Sequence, residues 1–246
     1  VQARESTRAS DRHLLDGALD FRDLYPLLDA FTLLQQVGCF SMAEQQQLEE
    51  WLDAFLGWLA EDSARFLREA SGSAACSWYH LVMLAIAAYR GRRNVAAQVF
   101  DNLPGLLAQQ FRSDGSARAR AADAPLRHSD LFNLQAWSCL SVLSSALGRD
   151  LLAFSDSNGV SLRRVYAQAQ RQLPPVGPEA GSGLDPGPWL QAIEAICSPD
   201  GASETPPALP PLTDVSSGLP PFWTLCRAMP VESPRGMDPL RTSTER

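Results

Sequence analysis

The sequence predicts an all-α fold, an array of antiparallel helix pairs followed by a proline-rich C-terminal tail. Three observations carry that prediction. Apolar residues recur at spacings of three and four almost without a break from 14 to 173, the period of one helix face. No alternating strand pattern runs beyond a few residues. Start and stop signals cut the periodic stretch into helix-length segments with short connections, as antiparallel helix neighbours require.

The elements follow in order. Leu24, Leu27, Leu28, Phe31, Leu34 and Val37 form the first apolar face, and Gly38 stands where a C-terminal cap belongs. Ser41 and Glu44 make a capping box, in which the hydroxyl accepts from the backbone three residues on and the carboxylate reaches back. The helix it opens carries Leu48, Trp51, Leu52, Phe55, Trp58 and Leu59. Residues 81–89 are apolar nearly all round, which predicts a helix buried on most sides, and Gly91 ends it. Asn94 is placed to cap the next helix, through Val95, Val99, Leu103, Leu106 and Leu107 to Phe111. Pro104 inside it predicts a kink or a break.

Residues 113–129 are polar, alanine-rich and aperiodic, hence a loop. Helix returns over 131–147 with Gly148 as its stop, and SDSNG at 155–159 is turn chemistry. Residues 160–173 form a last amphipathic helix, ended by Pro174 and Pro175. Three units result: a polar segment at 1–13, a helical domain at 14–175, and a Pro/Gly-rich tail at 176–246 with one short helix at 189–196. The tail's composition is that of a weakly ordered segment.

A chain of 246 residues suffices for one large domain or two small ones, and 45% hydrophobic content allows a sizeable core. The net charge of −7 gives no basic footprint for nucleic acid or an anionic membrane. All 21 basic residues are arginine, which excludes Schiff-base and lysine-base chemistry and leaves a side chain that forks onto carboxylates. None of the five cysteines forms a C-x-x-C pair or has a histidine at metal spacing, so no metal and no cofactor is expected. Most of them read as buried thiols. The chain begins with Val1, and residues 1–12 lack an apolar signal-peptide core. Such a start reads as a mature or truncated end. No apolar run reaches the ~18–20 residues that span a bilayer.

Four stretches stand in order: "DLYPLLDAFTLLQQVGCFS" with "LEEWLDAFLGWLAED"; "SAACSWYHLVMLAIAAYRG"; "RSDGSARARAADAPLRHSDLFNLQAW"; and "GRDLLAFSDSNGVSLRRVYAQAQRQLPP". In that order they resemble the alginate-lyase-like family of polysaccharide lyases. Together they cover about residues 14–175. The resemblance implies an (α/α) toroid of helix pairs around a cleft, here incomplete, since the family's earlier helices are not matched. It implies β-elimination on an acidic, uronate polysaccharide or oligosaccharide, and export to the periplasm or the outside. That chemistry needs a group to neutralise the C5 carboxylate, a base for the C5 proton and a donor for the O4 leaving group.

The family's Asn-Asn-His-Gly-Thr-Trp-Tyr motif falls on Ser73, Ala74, Ala75, Cys76, Ser77, Trp78 and Tyr79, so only the aromatic pair matches. In the third stretch Asp114 and Gly115 match, as do Ser129, Phe132, Asn133 and Leu134. The family's Glu, Arg, Thr and Tyr positions fall on Ala119, Ala122, Asp123 and His128. Frame positions are kept and chemical positions replaced, which implies a weakly active or inactive copy.

The candidate catalytic residues are His128, where the resemblance expects a proton-transferring tyrosine, and Tyr79. Trp78, Arg127, Asn133 and Arg120 are the candidate substrate-binding residues, with Arg118 beside them. Each has a plainer reading: Trp78 and Tyr79 as packing groups, His128 as a solvent-exposed loop histidine, the arginines as a solvated cluster. His80 reads as a satisfied buried histidine, and Cys76 lacks the placed histidine that a thiol nucleophile needs. Two other functions stay open: an active lyase with a rearranged site around His128 and Tyr79, and a helical interaction module that binds no glycan.

Overall fold

The structure, a computed structural model, describes residues 19–70 and 72–172. The expected polar segment, the tail and the short helix at 189–196 lie outside the described residues. Six helices are defined among the latter: α1 (Leu24–Gln36), α2 (Met42–Ala70), α3 (Ala74–Tyr89), α4 (Arg93–Gln110), α5 (His128–Ala146) and α6 (Leu162–Gln172). No strand forms among them; one isolated antiparallel bridge pairs Phe111 with Ala117.

Helix α3 is the axis of the core. It packs against α5, α4, α1 and α2, and every residue from 75 to 87 is buried. Small residues make this tolerable: Ala75, Ala85 and Ala87 let neighbouring helices approach, while Leu81, Leu84 and Ile86 fill the space between. The expected all-round helix therefore begins earlier than its apolar run, taking in Cys76, Ser77 and His80.

The capping box forms as read. Ser41 N–H donates to Glu44 Oε2 at 2.9 Å, and Glu44 N–H donates to Ser41 Oγ at 3.3 Å. Gly38 follows α1 with φ +73°, a left-handed conformation that lets Cys39 N–H bond back to the Leu34 carbonyl at 3.0 Å.

Other details depart from expectation. Helix α4 begins at Arg93, so Asn94 lies within its first turn and caps nothing. Pro104 does not break α4. Leu103, Leu106 and Leu107 are buried around it, and burial of about 1.5–3 kcal/mol per large side chain outweighs a proline cost of about 3 kcal/mol. Helix α5 starts three residues before its apolar period because Asp130 Oδ2 accepts the Arg127 N–H at 2.7 Å. The single apolar stripe read on α2 divides. Leu52, Leu56 and Leu59 enter the core. Trp51, Phe55 and Trp58 stack beside one another instead, with centroids 5.3 and 5.6 Å apart and both tryptophans exposed. On α1, Leu27, Leu34 and Val37 are likewise exposed.

Candidate functional site

The two stretches that carry the resemblance most closely meet where the start of α3 faces the end of α4 and the first turns of α5. Their meeting is organised by Gln110, the last residue of α4, 4% exposed. Its amide joins a closed ring of hydrogen bonds. Gln110 Nε2–H donates to Ser77 Oγ (3.0 Å), Ser77 O–H donates to Asn133 Oδ1 (2.7 Å), and Asn133 Nδ2–H donates to Gln110 Oε1 (2.9 Å). Gln110 Oε1 also accepts the indole N–H of Trp137 at 2.8 Å, and its second amide proton goes to the Ser73 carbonyl at 2.9 Å. Both amide protons and both oxygen lone pairs are thereby used, as a buried amide requires.

This accounts for Asn133, the expected substrate ligand: it is half-buried and its side chain closes the ring. Trp78 is buried as well, packed on Phe132 with ring centroids 5.0 Å apart. Its indole nitrogen is enclosed and has no hydrogen-bond partner. The frame residues that match across the two stretches therefore pack on one another.

Tyr79 points elsewhere. It is 3% exposed, and its hydroxyl donates to the Leu59 carbonyl of α2 at 2.6 Å. Successive helical residues turn by about 100°, so Ser77 and Trp78 face α5 while Tyr79 faces α2. The structure thus turns the Tyr79 hydroxyl away from the start of α5, where His128 is the first helical residue.

Arg120 departs furthest from its expected role. It is buried at 8% exposure. Nη1 donates to the Ala124 and Pro125 carbonyls at 2.7 and 2.6 Å, and Nη2 to Gln172 Oε1 of α6 at 3.2 Å. Nε lies 3.1 Å from Asp130 Oδ2, an ion pair without the alignment of a hydrogen bond. Arg120 fastens the loop to α5 and α6 rather than offering a fork to a carboxylate. Arg118 is spent similarly on the Ala108 carbonyl (2.7 Å). Arg127, by contrast, is exposed at the cap of α5.

The loop from 111 to 127 is built, not slack. Asp114 Oδ1 accepts from Ser116 N–H (2.8 Å) and hydroxyl (2.7 Å), which with Arg112 holds Asp114 below the usual carboxylate range. Gly115 has φ +87°, and a Cβ there would lie 2.2 Å from the Arg164 carbonyl oxygen of α6. That matching glycine lets the loop lie directly on α6.

Both Cys76 and Cys139 are buried, and the structure does place a histidine near one of them, His80 Nδ1 lying 3.9 Å from Cys76 Sγ. Burial pushes the Cys76 and Cys139 thiols up to about 12. Of the three described cysteines two are buried, in line with the reading of most as buried thiols, and Cys39 is exposed. His80 is buried as expected, its Nδ1 2.7 Å from the Cys76 carbonyl oxygen, and burial lowers its pKa. No group of three or more metal-ligating side chains occurs among the described residues, and no described helix is long and apolar enough to cross a membrane.

Charge is unevenly placed. Residues 73–172 carry eleven arginines, six aspartates and no glutamate, whereas 19–72 carry three arginines against ten acidic residues. The loop and α6 hold seven of these arginines against two aspartates.

Two of three comparisons with known proteins find a match. The alginate lyase family model matches residues 5–173. Among curated proteins no sequence matches. A crystal structure of an alginate lyase from Bacteroides ovatus superposes with a TM-score of 0.63 at 18% identity, over 76% of this chain. The chain spans 52% of that enzyme.

Proposed function

The chain belongs to the alginate lyase family, and from that premise we propose that it is a polysaccharide-lyase-like protein that keeps the family's helical frame and has lost most of its elimination chemistry. Its ligand is an acidic polysaccharide or oligosaccharide, met on the arginine-rich side. The fold is part of an (α/α) toroid, and the setting is periplasmic or extracellular, as the family resemblance implies.

One observation carries the reading. The positions where the family has Asn-Asn-His are the cap and first turn of α3, and they hold Ser73, Ala74 and Ala75. Alanine neither moves a proton nor donates a hydrogen bond, and Ala75 is buried in the core. A missing general base costs about 10²–10⁴ in rate. The residues that do match, Trp78, Phe132, Asn133 and Gly115, serve packing or backbone approach. Tyr79 would first have to release the Leu59 carbonyl before it could transfer a proton. Arg127, exposed at the start of α5, remains a candidate for any residual carboxylate contact, and the His128 side chain, the candidate for proton transfer, lies outside the described residues.

The test is incubation with alginate, polyglucuronate and related uronates, reading the ultraviolet absorbance of the unsaturated product alongside affinity electrophoresis in the same polymers. Retarded migration without product supports the proposal. Rapid product formation overturns the loss of chemistry. Unretarded migration in every acidic polymer overturns the ligand and favours an interaction module.

A further inference from the structure

A pocket of 390 Å³ lies on the other side of Trp137, between α4, α5 and the turn that follows α5. Its size falls in the range of small-molecule sites. Phe100, Leu103, Leu107, Trp137, Phe154 and Leu162 form its walls. Apart from Arg149 and Asp150 at its edge, those walls offer few partners to the hydroxyls of a sugar. The pocket is therefore chemically unlike the arginine-rich surface proposed for a uronate.

One cation stands at its mouth. The Arg149 guanidinium lies over the Phe100 ring, Cζ 5.8 Å from the centroid, a placement that steadies the side chain without using its N–H donors. Among the described residues it has no hydrogen bond or ion pair. The adjacent Asp150, which also lines the pocket, makes no ion pair with it: its Oδ1 accepts the backbone N–H groups of Leu152 and Ala153 at 2.9 and 3.1 Å. An apolar chamber with an uncommitted guanidinium fork at its entrance calls for a ligand with an apolar body and a planar anionic head.

We propose that this pocket binds a small amphiphilic carboxylate, its apolar body against Phe100 and Phe154 and its carboxylate on Arg149. The site does not depend on the lyase reading.

Calorimetric titration of the full chain with three probes of one shape tests it: 4-phenylbutyrate, 4-phenylbutanol and 4-phenylbutylamine. The expected result is saturable binding of the carboxylate at one site, with the amine weaker by about tenfold or more. Arg149→Gln, an exposed change, lowers carboxylate affinity by about tenfold and leaves the alcohol within about twofold. Leu151→Trp, which fills the mouth, abolishes all three, with thermal melting as the check on folding. No saturable binding of the carboxylate, equal binding of carboxylate and amine, or an Arg149→Gln variant of unchanged carboxylate affinity overturns the proposal.

Discussion

Replacing Gln110 with leucine keeps a side chain of similar bulk and deletes the amide that joins α3, α4 and α5. The Trp137 indole N–H, on a residue buried at 1%, then loses its acceptor. The Ser73 carbonyl loses a donor, and Asn133 and Ser77 keep only the bond between themselves. An unsatisfied buried donor costs about 1–3 kcal/mol, and the remaining groups, partly reached by water, add about 1–2. Leucine returns about 1 kcal/mol as added apolar surface. The net loss is about 1–4 kcal/mol, a substantial part of the 5–15 kcal/mol typical of a domain. Urea unfolding checks it: the midpoint falls while the slope holds, because the surface exposed on unfolding is unchanged. In a Trp137→Phe background the same change costs about 1 kcal/mol less, since the orphaned N–H is already gone. A loss under about 0.5 kcal/mol, or full additivity of the two changes, would refute the reasoning.

The remaining predictions touch other parts of the molecule. Gly115→Ala drives a Cβ onto the Arg164 carbonyl from a left-handed backbone and destabilises by about 2–4 kcal/mol, read as a lowered melting temperature. Asp53 sits between Arg90 and Arg92, with Nη2–Oδ2 distances of 2.9 and 2.6 Å, and they hold its carboxyl well below the usual range. Its contribution is complete above the ordinary aspartate value of 3.8 and fades as pH falls through the depressed one. Asp53→Asn therefore costs about 1 kcal/mol or less at neutral pH, and its unfolding curve converges with that of the parent chain in acid; a gap that persists in acid contradicts this. A maleimide applied to the native protein at neutral pH labels Cys39 and spares Cys76 and Cys139 until denaturant is added, as peptide mass spectrometry would show. Labelling of either buried thiol in the native state contradicts the packing of α3 and α5.

Much of the frame could be read because it is written locally. The capping box at Ser41, the stop at Gly38 and the apolar wrap of α3 each need only residues within a few positions. The start of α5 was placed late because its cap is a backbone N–H held by Asp130, which no apolar period signals. The α2 stripe was read as one face, although Trp51 and Leu52 point about 100° apart; which of them meets the core is a tertiary fact. The site was less legible for the same reason. Arg120 looks like a surface cation, and its burial depends on carbonyls that the loop folds back and on Gln172 of another helix. Gln110 was missed altogether. Its one signal is a polar residue on the apolar stripe of α4, in register with Leu103, Leu106 and Leu107.

The central claim is that the family frame survives here while the elimination chemistry does not. The most direct measurement is the initial rate of unsaturated-uronate formation by the purified chain on alginate, set against the Bacteroides ovatus enzyme under the same conditions. The account predicts a rate lower by about 10² or more, despite a cooperative unfolding transition that shows the chain is folded. A rate comparable to that of the active enzyme would contradict it.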